Sequence, residues 1–188
     1  MVHVNLENLI NKFELKEYEE KVKKVNEVIK TKSGPGNDFL GWVEHPLNYN
    51  KEEFELIKKS ALEIRNNYEV LVVCGIGGSY LGARAAIEAI NGLKDQNKLE
   101  IIFLGQTFSS TYIAQVLNYL ENKNFAINVI SKSGTTTETS ISFRLVKDLL
   151  IRKVGKEKAN KAIYATTDKE KGALKRLFEK IKMKTEIK

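Results

Sequence analysis

Two short stretches concentrate groups that can hold an anion. "GIGGSYLGA", residues 75–83, follows the apolar run "EVLVVC"; "SKSGTTTETS", residues 131–140, follows "FAINVI". In the first, Gly75, Gly77 and Gly78 let the backbone turn tightly and let a ligand approach without meeting side chains. Ser79 falls where the next helix is expected to start, and there unpaired N–H groups and the positive dipole end favour an anion. In the second, Ser131, Ser133, Thr135, Thr136 and Thr137 supply five hydroxyls within seven residues. Gly134 permits a left-handed turn whose successive N–H groups form an anion nest. Lys132 adds positive charge, and a helix starting near residues 136–138 aims its N-terminus into the same space. Each loop alone also fits a plainer account: a tight turn with Ser79 as N-cap, and hydroxyls that satisfy local backbone groups. Two such loops at strand ends of one sheet point to a site with many donors and few fixed charges. That suits a phosphate monoester on a small molecule. Neither loop offers the cluster of carboxylates or imidazoles that a metal needs.

The standard nucleotide signatures do not fit. A dinucleotide fingerprint wants G-x-G-x-x-G, but Tyr80 stands at the third glycine position, and Gly105-Gln106 stand where an acid is expected after the second strand. A P-loop ends in Gly-Lys-Ser/Thr, whereas Gly82 is followed by Ala83-Arg84.

The elements that must position these loops are legible from periodicity. Residues 6–30 read as a helix, with Leu6, Leu9, Ile10, Phe13, Val22, Val25, Val28 and Ile29 at three- and four-residue steps. Gly34-Pro35-Gly36 breaks it. A second helix is predicted over residues 51–66, with Phe54, Ile57, Leu62 and Ile64 as its apolar face and Asn50 as its N-cap. From residue 69 the texture changes to short apolar runs, near 69–74, 100–105, 125–130 and 162–166, alternating with helical segments. The helix after the third run is expected to bury Ile141, Leu145, Leu149 and Val154. Such alternation gives βαβ units, hence a parallel sheet with helices on both faces. "KTEIK" reads as the start of a fifth strand, and the chain is expected to stop inside it. A helical segment over 1–66 that packs on the sheet, followed by a sheet domain over 67–188, is the expected organisation.

Composition bounds the rest. The chain has 188 residues, 42% hydrophobic and 29% charged, which is ordinary globular composition. No apolar run approaches the roughly 18 residues that span a membrane, and charge comes too early for a signal peptide. Lone Cys74 has no internal partner for a disulfide. A cytoplasmic protein is expected. The net charge of +7 sits at one end: residues 147–188 carry 14 Lys/Arg against 6 Asp/Glu, or +8, which leaves −1 elsewhere. These lysines are interspersed with acids and lack interleaved aromatics, so they read as solvated helix faces rather than a nucleic-acid surface.

"VVCGIGGSYLGARAAIEAI" with "NVISKSGTTTETS" resembles the bacterial type of the glucose-6-phosphate isomerase family. "FLGWVEHPLNY" and "IYATTDKEKGALKRL" are similar to it as well, so the resemblance runs from about residue 39 onward. It implies the three-layer sugar isomerase (SIS) fold, a mostly parallel sheet of about five strands flanked by helices, present twice per subunit. It implies that a substrate phosphate lies between the loops, held by Gly78 and Ser79 and by Ser131, Lys132 (mainly its backbone), Ser133, Gly134, Thr135 and Thr136. The implied reaction interconverts glucose 6-phosphate and fructose 6-phosphate in glycolysis and gluconeogenesis. A base moves a proton between C1 and C2 through an enediol, and an Arg stabilises the developing charge. No metal or organic cofactor is implied. The implied partners are a small-molecule sugar phosphate, the C-terminal half of the same enzyme and a second copy in a homodimer, with no nucleic acid or membrane. One departure matters: the family's Gly-Gly-Arg motif and its later catalytic Glu, His and Lys match nothing here. The expected role is that of an N-terminal phosphate-binding domain, inactive alone. A regulatory sugar-phosphate-binding module of the same fold remains the alternative.

Overall fold

The computed structural model describes residues 5, 16–92, 99–181 and 186–187. It divides into two compact units, residues 1–50 and 51–188. In the first, α1 (Lys16–Thr31) stops where Lys32 takes a left-handed φ of 53° and the Ser33 N–H bonds the Val28 carbonyl. A 3-10 turn (Asn37–Phe39) and the short α2 (Gly41–Glu44) follow. Residues 6–15, which carry Leu6, Leu9, Ile10 and Phe13, lie outside the described residues.

The second unit is a five-stranded parallel sheet in the order β2-β1-β3-β4-β5. Its strands are β1 (Val70–Cys74), β2 (Glu100–Leu104), β3 (Phe125–Ile130), β4 (Ile163–Thr166) and β5 (Glu186–Ile187). The helices between them are α4 (Leu81–Asn91), α5 (Ser110–Leu120), α6 (Thr137–Val154) with α7 (Lys156–Lys161), and α8 (Ala173–Ile181). α3 (Lys51–Asn67) precedes β1 and belongs with the sheet. Ile64 of α3 is buried with Ala126 and Tyr164 of the sheet.

Period-two alternation sorts the strands onto two faces. Val70, Val72 and Cys74 pair in register with Phe125, Ile127 and Val129, and Ile127 and Val129 pair with Ile163 and Ala165. This face forms the main core against Val116 and Leu120 of α5, Phe143, Val146, Leu149 and Leu150 of α6, and Leu174 and Phe178 of α8. The other face places Leu71, Ala126 and Tyr164 with Ile64 and Tyr68. Right-handed crossovers account for the division: the chain moves one way from β1 to β2 and the other way thereafter, so α4 lies opposite α5, α6 and α8.

Two helix faces differ from expectation. On α6 the buried residues are Thr139, Ser142, Phe143, Val146, Leu149 and Leu150, whereas Ile141, Leu145 and Val154 are exposed. The buried stripe contains small hydroxyl residues at helical spacing, and the strict four-residue apolar step runs off the core. On α3 the buried residues are Ser60 and Ile64, while Phe54 and Leu62 are exposed, for the same reason.

Candidate functional site

The strand order sets where a ligand can bind. After β1 the chain leaves toward β2; after β3, the neighbour of β1, it leaves toward β4. The two loops diverge to opposite faces and open a crevice outside the carboxyl ends of β1 and β3, the switch point where open parallel sheets bind ligands. Cys74 stands in register with Val129, so the loops at 75–80 and 131–136 start side by side. A crevice of about 530 Å³ lies there. It is lined by Ile76 and Ser79 from the first loop, by Ile130, Ser131, Lys132, Ser133, Thr136 and Thr139 from the second, and by Asp168, Lys171 and Gly172 from the loop after β4.

The first loop is shaped by close approach. Gly75 donates its N–H to the Leu104 carbonyl at 2.9 Å, and Gly105, at a φ of +100°, lies so near that a Cβ on it would sit 3.0 Å from the Gly75 oxygen. Gly77 takes a φ of +57°, which opens a 3-10 turn over Gly77–Ser79. Ser79 is therefore not the N-cap of α4, which begins two residues later at Leu81 with Tyr80 before it. The turn leaves the Ser79 side chain on the crevice wall. Gly78 is exposed, and nothing lies within 4 Å of the position its Cβ would take.

The second loop is partly self-satisfied. The Ser131 hydroxyl accepts the Gly134 N–H at 2.9 Å, and the Ser133 hydroxyl accepts the Thr135 N–H at 3.1 Å and meets the Thr135 hydroxyl at 2.8 Å. Thr135 is thereby turned to its neighbour rather than to the crevice. Thr136 occupies the N-cap position of α6, but its side chain makes no capping bond. Its hydroxyl and the unpaired N–H groups of the first helical turn remain for a ligand. Thr139, one turn on, is 2% exposed, and its hydroxyl has no partner among the described residues.

A third segment braces this loop, and sequence reasoning missed it. The Thr167 hydroxyl donates to the Ser131 carbonyl at 2.8 Å, and the Ala173 N–H donates to the Ser133 carbonyl at 2.7 Å. Gly134, at a φ of +72°, packs on α8 so tightly that a Cβ there would lie 2.7 Å from the Leu174 Cβ. Gly172 has the same constraint against the Lys132 and Ser133 carbonyls. The Asp168 carboxylate accepts the N–H groups of Glu170 and Lys171 at 2.9 and 3.1 Å and so folds the turn that delivers Gly172. Those two N–H bonds hold its pKa below the usual carboxylate value, with Lys171 and Lys132 adding to the effect. The one sequence signal for this segment was the closely spaced "TTDKEKGA", whose Asp and Gly are turn residues.

Burial pushes the Cys74 thiol up to about 12, so it is an inert core residue. Among the described residues no group of three or more His, Cys, Asp or Glu is placed to hold a metal, and no helix is long and apolar enough to cross a membrane.

Fold and crevice define an open parallel α/β protein with a ligand-type crevice at its β1/β3 switch point. The phosphoglucose isomerase family model matches residues 16–177, and the chain belongs to that family. It is 61% identical over 160 residues to the glucose-6-phosphate isomerase of Mycoplasma capricolum, covering 85% of this chain and 38% of that protein. Against the glucose-6-phosphate isomerase of Staphylococcus aureus strain Newman it is 50% identical over 184 residues, or 94% of this chain and 42% of that one. Among solved structures, a hypothetical protein from Thermus thermophilus superposes with a TM-score of 0.71 at 25% identity, over 90% of this chain and 39% of that chain. A glucose-6-phosphate isomerase from Chlamydia trachomatis superposes with a TM-score of 0.56 at 27% identity, over 65% and 23% respectively.

Proposed function

We propose that this chain is the phosphate-holding domain of a glucose-6-phosphate isomerase that interconverts glucose 6-phosphate and fructose 6-phosphate in cytoplasmic glycolysis and gluconeogenesis. The observation that carries this reading is the convergence of Ser79 with Ser131, Lys132, Ser133 and Thr136 on one crevice at the switch point. Hydroxyls, loop N–H groups and the α6 N-terminus provide many donors there, as a phosphate requires. The names of the relatives supply the hexose.

In this reading the domain contributes position. It fixes the non-reacting end of the sugar and thereby sets C1 and C2 against the catalytic groups, a gain in orientation rather than in bond chemistry. Asp168, the carboxylate of the crevice, is a poor base because two backbone N–H groups stabilise its ionised form. Proton transfer is therefore assigned to groups of the full-length enzyme or of its homodimeric partner. The expected result is that this chain binds glucose 6-phosphate in a calorimeter, ignores glucose, and shows no turnover in a coupled isomerase assay. Turnover well above buffer would refute this division of labour; equal affinity for glucose would refute the phosphate site.

A further inference from the structure

A second cavity, of about 480 Å³, lies between α6 and α8 and shares Ser131 and Thr139 with the crevice. Its volume falls within the range of small-molecule sites. Its floor is apolar, made by Val129, Phe143, Leu174 and Leu177, and Arg144, Lys147 and Asp148 stand along the same wall. The polar groups are not equivalent. The Ser131 oxygen is taken by the Gly134 N–H, and the Ser140 hydroxyl donates to the Thr136 carbonyl at 2.8 Å. Thr139 also lines this cavity, and its buried hydroxyl has no partner among the described residues. Lys147 lies 5.8 Å over the Phe143 ring, so its ammonium is held at the junction between apolar floor and charged rim. Two cations against one carboxylate leave a net charge of +1.

We infer that the α6–α8 cavity binds a small organic monoanion with an apolar body: the charged group meets Arg144 and Lys147, the body covers Phe143, Leu174 and Leu177, and Thr139 donates the remaining hydrogen bond. A bare phosphate lacks the body, and a sugar phosphate is too polar for the floor, so this site differs in chemistry from the crevice. Cations beside an apolar floor are what such a ligand satisfies together.

Benzoate is a suitable probe, with acetate as the head-group control, followed by amide chemical shifts of the full 188-residue chain. Benzoate is expected to give saturable shifts at residues 143–148 and 173–177, and acetate none there at equal concentration. The paired variant Arg144→Gln, Lys147→Gln replaces residues of the rim and is expected to weaken benzoate tenfold or more. It should leave inorganic phosphate shifts at residues 79 and 131–136 unchanged. Absence of saturable benzoate shifts, or equal affinity in the variant, would overturn the site. Because the two probes report on different residues, failure here is distinguishable from failure of the phosphate crevice.

Discussion

The hydroxyls of the two loops are not interchangeable. Ser131 and Ser133 commit their oxygens to loop N–H groups, whereas Ser79 and Thr136 face the crevice without a capping or turn bond. Ser79→Ala and Thr136→Ala are therefore expected to weaken phosphate-ester binding by about 0.5–1.5 kcal/mol each, the net value of a hydrogen bond. Their thermal stability should stay close to wild type. Ser131→Ala should instead lower the melting temperature, since it strands the Gly134 N–H; a calorimetric and thermal series on the three variants checks the contrast. Thr139 gives the opposite sign. Its buried hydroxyl has no partner among the described residues, so Thr139→Val should raise stability by about 1 kcal/mol while weakening ligands that use it. A fall in melting temperature would show that the hydroxyl already has a partner in the free protein.

At the scale of elements, the site depends on the segment after β4. Gly134→Ala both strains a φ of +72° and drives a methyl into Leu174, so it should cost at least roughly 1–3 kcal/mol. The expected readout is a lower denaturation midpoint together with lost phosphate binding. Asp168 makes this bracing sensitive to acid. Its folded pKa lies below the usual 3.8, so its contribution is fully present above 3.8 and is lost as pH falls through the lower folded value. Asp168→Asn should therefore be less stable than wild type at neutral pH and converge with it in acid; a gap independent of pH would mean that the carboxylate charge plays no part. Much of this scale was legible in the sequence. Alternating apolar runs and helical segments marked the four longer strands within a residue or so at either end, because buried parallel strands read as continuous apolar runs. The stripes of α3 and α6 were not legible, since Ser60, Thr139 and Ser142 are buried by tertiary packing that periodicity in apolar residues does not register. The bracing by Thr167, Gly172 and Ala173 was hidden for a related reason: it joins segments distant in the chain through backbone groups, which every sequence possesses.

Across the whole molecule, topology does what no single motif does. The order β2-β1-β3-β4-β5 brings the loops after β1 and β3 together, and the sequence showed two similar loops without showing that their strands were neighbours. The chain spans 38% and 42% of the length of the two relatives compared. In the proposed function, one crevice walled by both loops holds the phosphate of a hexose. An amide-shift titration with glucose 6-phosphate against glucose tests it most directly. Saturable shifts confined to residues 76–79, 130–139 and 168–172 are expected, seen with the phosphate ester alone and lost in the Ser79→Ala, Thr136→Ala double variant. Shifts that appear equally with glucose, or that map away from both loops, would contradict it.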